Sequence, residues 1–263
     1  MSQPSVAYTF GFAAALCAVC SVLVAGSAVS LKDKQEANKI LDRRKKVLQV
    51  AGLMQEGESL EPAQIDTLFE QKIEARLVDL DEGTYYAGQQ FEANSFDQRK
   101  VAKDPAYSEV APKNNAKVSR VPEVAVTYHV KGDGGSVNQL ILPIEGKGLW
   151  STLYGYLCVE TDTNTICGIT FYEHAETPGL GGEVDNPSWK AQWPGREIRD
   201  ADGDIAIRVV KGKAGSVESA PHEVDGLSGA TLTSNGVTYT LQFWLGENGW
   251  GPYLDNFKSG SAG

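Results

Sequence analysis

The sequence predicts an α+β fold: an N-terminal transmembrane helix followed by a mixed, largely antiparallel domain. Three observations predict it. An uncharged apolar run opens the chain, apolar residues at helical spacing follow it, and from Val121 short apolar runs alternate with turn-forming residues. The 263 residues hold an anchor plus one sizeable globular domain or two small ones. With 41% hydrophobic and 22% charged residues the chain can bury a core, and wholesale disorder is not expected.

Tyr8 to Leu31 contains 24 residues and no charged side chain. As a helix rising about 1.5 Å per residue it reaches roughly 36 Å, enough for a bilayer core of about 30 Å. A cleaved signal peptide is the rival reading, because Ala25 to Ser30 are mostly small. That reading lacks a basic n-region, and the apolar run exceeds the usual h-region, so a retained anchor is favoured. Lys32 to Lys46 then carries seven bases against three acids, a collar that anionic headgroups attract. By the positive-inside rule alone this collar keeps the following domain in the cytoplasm. Elsewhere 31 acids face 17 bases, and the net charge of −10 argues against nucleic acid as a partner.

The expected division is an anchor over 1–31, a helical and loop-rich part over 32–120, and a ligand-binding domain over 121–263. Lys32 to Met54 reads as a helix. A second begins near Glu61-Pro62, since proline suits a first turn, with Ile65, Leu68, Phe69 and Ile73 at helical spacing. Residues 81–120 read as loops with short strands. Val124–Val130 and Val137–Leu142 flank the turn Gly132-Asp-Gly-Gly135, a hairpin signal. Tyr154–Glu160 and Ile166–Phe171 form a second hairpin. Simple alternation sets Cys158 opposite Cys167, Tyr156 opposite Ile169 and Tyr154 opposite Phe171, all on one face. A strand over Ile205–Val210 precedes the last helix, from about Thr231 to Leu245, buried through Val237, Leu241, Trp244 and Leu245.

Two strings carry the chemistry. Asp225-Gly-Leu-Ser228-Gly-Ala-Thr231 places a small turn directly before a helix. The first amides of a helix lack intrahelical acceptors and the macrodipole adds positive character, so a phosphate fits there. Gly229 and Ala230 leave room, and a threonine hydroxyl is available as an ester oxygen. Taken alone, the string is more often that of an ordinary N-cap at Ser228 or Thr231. It also approaches the G-x-S-x-G elbow of hydrolases, with Ala230 in place of the last glycine. That reading would make Ser228 a nucleophile with His129, His174 or His222 as base. The second string, Glu173-His-Ala-Glu176-Thr177-Pro178-Gly179-Leu180-Gly-Gly182, must bend sharply. Leu180 at such a bend is placed to cover a flat ring. The glycines are wrongly spaced for a dinucleotide fingerprint, and the bland reading is a long loop after a strand.

Together the strings are specific. D-x-x-S-G-A-T resembles the site at which a flavin transferase joins FMN to threonine by a phosphoester, and E-T-P-G-L-G resembles the companion loop of the same FMN-binding domain. That domain occurs in the C subunit of the sodium-translocating NADH:quinone oxidoreductase and in the G subunit of the related Rnf complex. Gly146-Lys-Gly-Leu-Trp150-Ser151 and the tail Gly249-Trp-Gly-Pro-Tyr-Leu254 are similar to the former.

The resemblance implies covalent FMN on Thr231, with Ser228, Gly229 and Ala230 shaping the turn. It implies that Thr177, Pro178, Gly179 and Leu180 line the flavin, that Trp150 and Ser151 lie nearby, and that Lys211 is a candidate phosphate partner. It further implies an electron-relay subunit of a bacterial inner-membrane complex, whose partners are the other subunits and, during maturation, the flavin transferase. The soluble domain would lie in the periplasm, overriding the charge rule. No catalytic residue or metal site is expected. Cys17 and Cys20, three apart in the apolar run, are too few for an iron–sulfur site and read as packing residues. Cys158 and Cys167 form either a disulfide or two buried thiols. An Rnf-type G-subunit flavoprotein is the nearest alternative, with a membrane-anchored periplasmic serine hydrolase and an assembly subunit without flavin as the remaining classes.

Overall fold

The protein is described by a computed structural model covering residues 5–262. It divides at Arg43 into two compact units.

The first unit is helical. Helix α1, Val6–Val50, runs unbroken through the expected junction at Leu31-Lys32. Its apolar window has a mean hydropathy of 2.3 and none of it is buried within the chain; Phe10, Phe12, Leu16, Val22 and Leu23 are all exposed. A helix that shows apolar side chains all round needs lipid or protein about it. Among the described residues it is the one helix long and apolar enough to cross a membrane.

The second unit starts at Arg44 and includes the end of α1, where Val47, Leu48 and Val50 are buried. Arg44 Nη1 reaches Asp66 Oδ1 at 2.7 Å. Asp66 lies in α2, Pro62–Lys72, which starts as expected, with the Glu61 amide donating to Gln64 Oε1 at 3.0 Å. Ile73 does not continue that helix. It opens β1, Ile73–Asp79, followed by β2, Thr84–Tyr85, the short helix α3, Gln98–Val101, and a small pair β3, Ser108–Val110, and β4, Arg120–Pro122. Four long strands come next: β5, Val124–Lys131; β6, Val137–Lys147; β7, Thr152–Glu160; and β8, Ile166–Glu173. The main sheet has the order β2-β1-β5-β6-β7-β8, antiparallel at every pairing.

The β7–β8 register departs from simple alternation. Cys158 faces Gly168, Tyr156 faces Thr170, Gly155 faces Phe171 and Tyr154 faces Glu173, with irregularities at Tyr154/Gly155 and Cys158/Val159. Each bulge inserts a residue and moves the partner by one. As a result Ile169 and Phe171 enter the main core with Leu157, while Tyr172 joins Tyr154 and Tyr156 on the other face. Cys158 and Cys167 nevertheless form a disulfide, with Cα atoms 5.1 Å apart. Closing a loop of nine residues' separation contributes about 2.5–3 kcal/mol in the chain-entropy account. The double substitution Cys158→Ser, Cys167→Ser is expected to lower the melting temperature of the soluble unit by roughly 5–10 °C, measured by circular dichroism.

After β8 come α4, Pro187–Lys190, and a two-residue parallel pair, β9, Arg208–Val209, with β10, Glu223–Val224. The expected strand over 205–210 thus shrinks to the two residues that pair with β10. Helix α5, Thr231–Trp244, lies on β6, and α6, Gly251–Ser259, which the sequence reading did not anticipate, follows it. Trp244 Nε1 donates to the Glu145 carbonyl at 2.7 Å and Trp250 Nε1 to the Pro143 carbonyl at 2.9 Å. Buried indoles need such partners; the first ties the end of α5 to β6 and the second ties the start of α6 to the same strand. The approach is close at Gly236, where a Cβ would meet the Lys147 carbonyl at 2.4 Å. Gly236→Ala is therefore expected to destabilise the unit by about 1–3 kcal/mol through forced separation of helix and strand, read in urea unfolding.

Candidate functional site

The start of α5 is built to leave its amides uncapped. Its N-cap is Ala230, which has no side-chain oxygen, and no side-chain cap bond is made. The cap role open to Ser228 or Thr231 is thus not what these residues do. Thr231 is the first helical residue, and its side chain is exposed, as are Ser228 and Gly229. The turn before it is locked from inside: the Ala230 amide donates to the Leu227 carbonyl at 3.1 Å, and the Leu227 amide to Ser234 Oγ at 3.0 Å. Gly229 has φ +70°, a conformation that side chains disfavour. A Cβ there would also come within 2.9 Å of Leu180 Cδ2, so Leu180 rests directly over the turn. The two strings, about fifty residues apart, meet at this point.

Glu176 joins a third segment to them. The residue is 5% exposed. Oε1 accepts the amides of Trp150 at 2.9 Å and Ser151 at 3.1 Å; Oε2 accepts the Leu149 amide at 3.2 Å and the Thr233 hydroxyl at 2.7 Å. Burial pushes its pKa up, but these donors outweigh burial together and hold it below the ordinary glutamate value. Ser151 Oγ in turn accepts the Ala175 amide at 2.7 Å. Two glycines permit this convergence. A Cβ on Gly148 would meet Glu176 Oε1 at 2.6 Å, and one on Gly181 would meet Thr233 Oγ1 at 2.6 Å. The loop itself closes on Thr177, whose carbonyl accepts the amides of Leu180 at 3.1 Å and Gly182 at 2.9 Å. Behind it, the Glu176 amide donates to His174 Nδ1 at 3.2 Å, so the His174 Nε2–H faces Asp185 at 2.8 Å.

Around Thr231 the surface is apolar. Trp150 is 66% exposed and Leu232 59%, with Leu149 and Leu180 also exposed. A contiguous set of exposed large apolar side chains on a monomer marks a contact surface. Thr177, Pro178 and Gly179 belong to the same loop as Leu180, and Pro178 and Gly179 complete the exposed rim. Lys211 is exposed in the loop alongside, where the Gly226 amide donates to the Gly212 carbonyl at 2.8 Å; among the described residues no contact brings it to Thr231. Glu176, Thr233, Leu149 and Leu232 are the site residues that sequence reasoning did not assign. Glu176 stood inside the E-T-P-G-L-G string, but its role arises only when residues 149–151 arrive.

The hydrolase arrangement is not assembled. His129 Nε2 is buried against Tyr253 Oη at 2.8 Å, His174 faces Asp185, and His222 Nδ1 lies 2.9 Å from the Glu197 carbonyl. None of these contacts involves Ser228.

The FMN-binding domain family matches residues 148–246, which contain both strings and α5. The C subunit of the Na(+)-translocating NADH-quinone reductase of Vibrio vulnificus is 48% identical over 261 residues, covering 98% of each chain. This chain belongs to the C-subunit family of Na(+)-translocating NADH-quinone reductases. Its fold is also that of the crystal structure of Shewanella oneidensis NqrC, with a TM-score of 0.77 and 34% identity over 85% of this chain and 99% of that one. The C subunit from Parabacteroides distasonis aligns with a TM-score of 0.64 and 28% identity, over 85% of this chain and 96% of that one. The cofactor is FMN. The site fits it: an uncapped helix start suits a phosphate, and the exposed apolar side chains beside it suit a planar ring.

Proposed function

We propose that Thr231 carries FMN through a phosphoester on its hydroxyl, and that the chain relays electrons within a sodium-translocating NADH:quinone oxidoreductase. The complex would couple NADH oxidation and ubiquinone reduction to sodium export. The observation that carries this reading is an exposed threonine at the first position of a helix whose amides no side chain caps. In this reading residues 1–31 anchor the chain, 32–120 connect, and 121–263 hold the flavin. Ser228, Gly229 and Ala230 shape the phosphate turn, and Leu180 and Trp150 contact the ring with Thr177, Pro178, Gly179 and Ser151 around them. Lys211, in the neighbouring loop and not in contact with Thr231 among the described residues, adds positive potential at a distance.

Bound flavin supplies redox chemistry, and the protein supplies position and surroundings. A covalent link keeps the cofactor through every turnover, so the chain needs no enclosed substrate pocket. The exposed rim allows a partner's cofactor to approach. The spanning helix carries no charged side chain between Tyr8 and Leu31, so a sodium path would be lined by other subunits.

Attachment requires a flavin transferase, and we place the soluble unit in the periplasm with it. The test is in-gel fluorescence under ultraviolet light after denaturing electrophoresis, on protein made with its transferase. A fluorescent band at the size of this chain supports the reading; a dark band, with the transferase active on a control, removes it. For topology, alkaline phosphatase fused after Gly263 is expected to be active, since that enzyme matures only outside the cytoplasm. An inactive fusion that is stably produced would put the domain on the cytoplasmic side.

A further inference from the structure

Away from the apolar rim, a cavity of about 130 Å³ opens between the turn after α3, the approach to β4, and the facing ends of β6 and β7. Its walls include Arg99, Lys103, Lys117, Arg120 and Lys147, against a single acid, Glu145. Five cations around one small cavity run against the composition of a chain in which acids exceed bases by 34 to 24. Like charges brought together cost free energy unless something of opposite sign lies among them.

The five are not equivalent. Arg99 is fixed, with Nη1 and Nη2 on the Glu173 carboxylate at 2.6 and 3.0 Å and its guanidinium 3.6 Å from the Tyr154 ring centroid. Arg120 is tied to Ser108, through Nε to Oγ at 2.8 Å and through Nη2 to the carbonyl. Lys147 Nζ donates to the Trp150 carbonyl at 2.9 Å. Lys103 and Lys117 form no ion pair among the described residues. Lys117 also sits at φ +57°, a left-handed conformation uncommon outside glycine. Burial raises the pKa of Glu145, against the opposing pull of Arg99 and Lys103.

We propose that this cavity binds a phosphate group, with Lys103 and Lys117 as its direct ligands and Arg99 and Arg120 as fixed positive walls. At about 130 Å³ the space is smaller than the roughly 300 Å³ or more of drug-sized ligand pockets and suits a small oxyanion. The phosphate comes either free from solution or on the headgroup of an anionic phospholipid. The cavity wall contains none of the residues assigned to the flavin and meets the flavin rim through Lys147, whose Nζ donates to the Trp150 carbonyl.

The test uses the full chain in maltoside micelles and isothermal titration calorimetry. Inorganic phosphate and short-chain phosphatidylglycerol are titrated separately, with sodium acetate at matched ionic strength as the comparison. Saturable binding of either phosphate ligand, weakened about tenfold or more by Lys103→Gln with Lys117→Gln and unchanged by Lys113→Gln, is the expected result. Binding of inorganic phosphate identifies the free anion as a source, and binding of the lipid alone identifies the headgroup. No saturable binding of either ligand, binding matched by acetate, or binding untouched by the double substitution overturns the proposal. Both lysines are exposed, so the double variant is expected to fold, and an unchanged thermal midpoint without ligand verifies it.

Discussion

Thr231→Val is expected to abolish covalently held flavin completely, while the soluble unit unfolds within about 0.5 kcal/mol of the unmodified parent. The loss is total because the other hydroxyls of the helix's first turn cannot substitute. Thr233 is buried and donates to Glu176 at 2.7 Å, and Ser234 is buried with its Oγ accepting the Leu227 amide at 3.0 Å. Thr231 alone in this turn of helix presents an exposed hydroxyl. Thr231→Ser, which keeps the hydroxyl at the same place, should restore part or all of the signal. A band that stays fluorescent in Thr231→Val would move the attachment elsewhere in the chain.

Glu176→Ala is expected to be the most damaging single change at the site. It leaves three backbone amides and the Thr233 hydroxyl without their acceptor. At about 1–3 kcal/mol for each buried donor left unpaired, and with partial relief by water, a loss of about 3 kcal/mol or more follows. For a unit of this size that is a fall of roughly 6–12 °C in melting temperature. Glu176→Gln keeps one acceptor oxygen and should lie between. The pH dependence has a definite sign. The folded pKa of Glu176 is depressed, so its contribution is present above the ordinary glutamate range and is lost as pH falls through the folded value. His129 adds in the same direction: burial, reinforced by Arg76, lowers its pKa to about 4. The unfolded chain therefore binds a proton that the folded chain refuses between roughly pH 6.5 and 4, and stability drops as the pH descends. Urea unfolding at pH 7 and pH 5 measures this, and the pH 5 deficit should shrink in His129→Gln.

How much of this was legible in the sequence varies by element. Helix α5 and the site at its start were legible because a small turn and an apolar stripe lie next to each other in the chain. The two hairpins were legible for the same local reason, apolar runs flanking short turns such as Gly132–Gly135. The β7–β8 register was not, because Gly155 sits at a bulge where a Cβ would meet the Thr170 carbonyl at 2.4 Å, and alternation cannot count an inserted residue. Strand β1 was hidden by Ile73, which continues the helical spacing of Ile65 and Phe69 but pairs with Val130 across the sheet. Its strand identity comes from a partner more than fifty residues away. Helix α6 could have been found, since Pro252 sits in its first turn and Gly260 ends it in a left-handed conformation. Glu176 could be quoted but not given its role. Four donors from two distant segments define it, and neither segment announces the other.

The most direct test of the central claim is mass spectrometry of peptides from the full chain made with its transferase. The account predicts that the peptide containing Thr231 carries the mass of FMN less one water, with fragmentation placing it on that residue. An unmodified Thr231 peptide recovered in full yield, with the flavin released on denaturation or found on another residue, would contradict it.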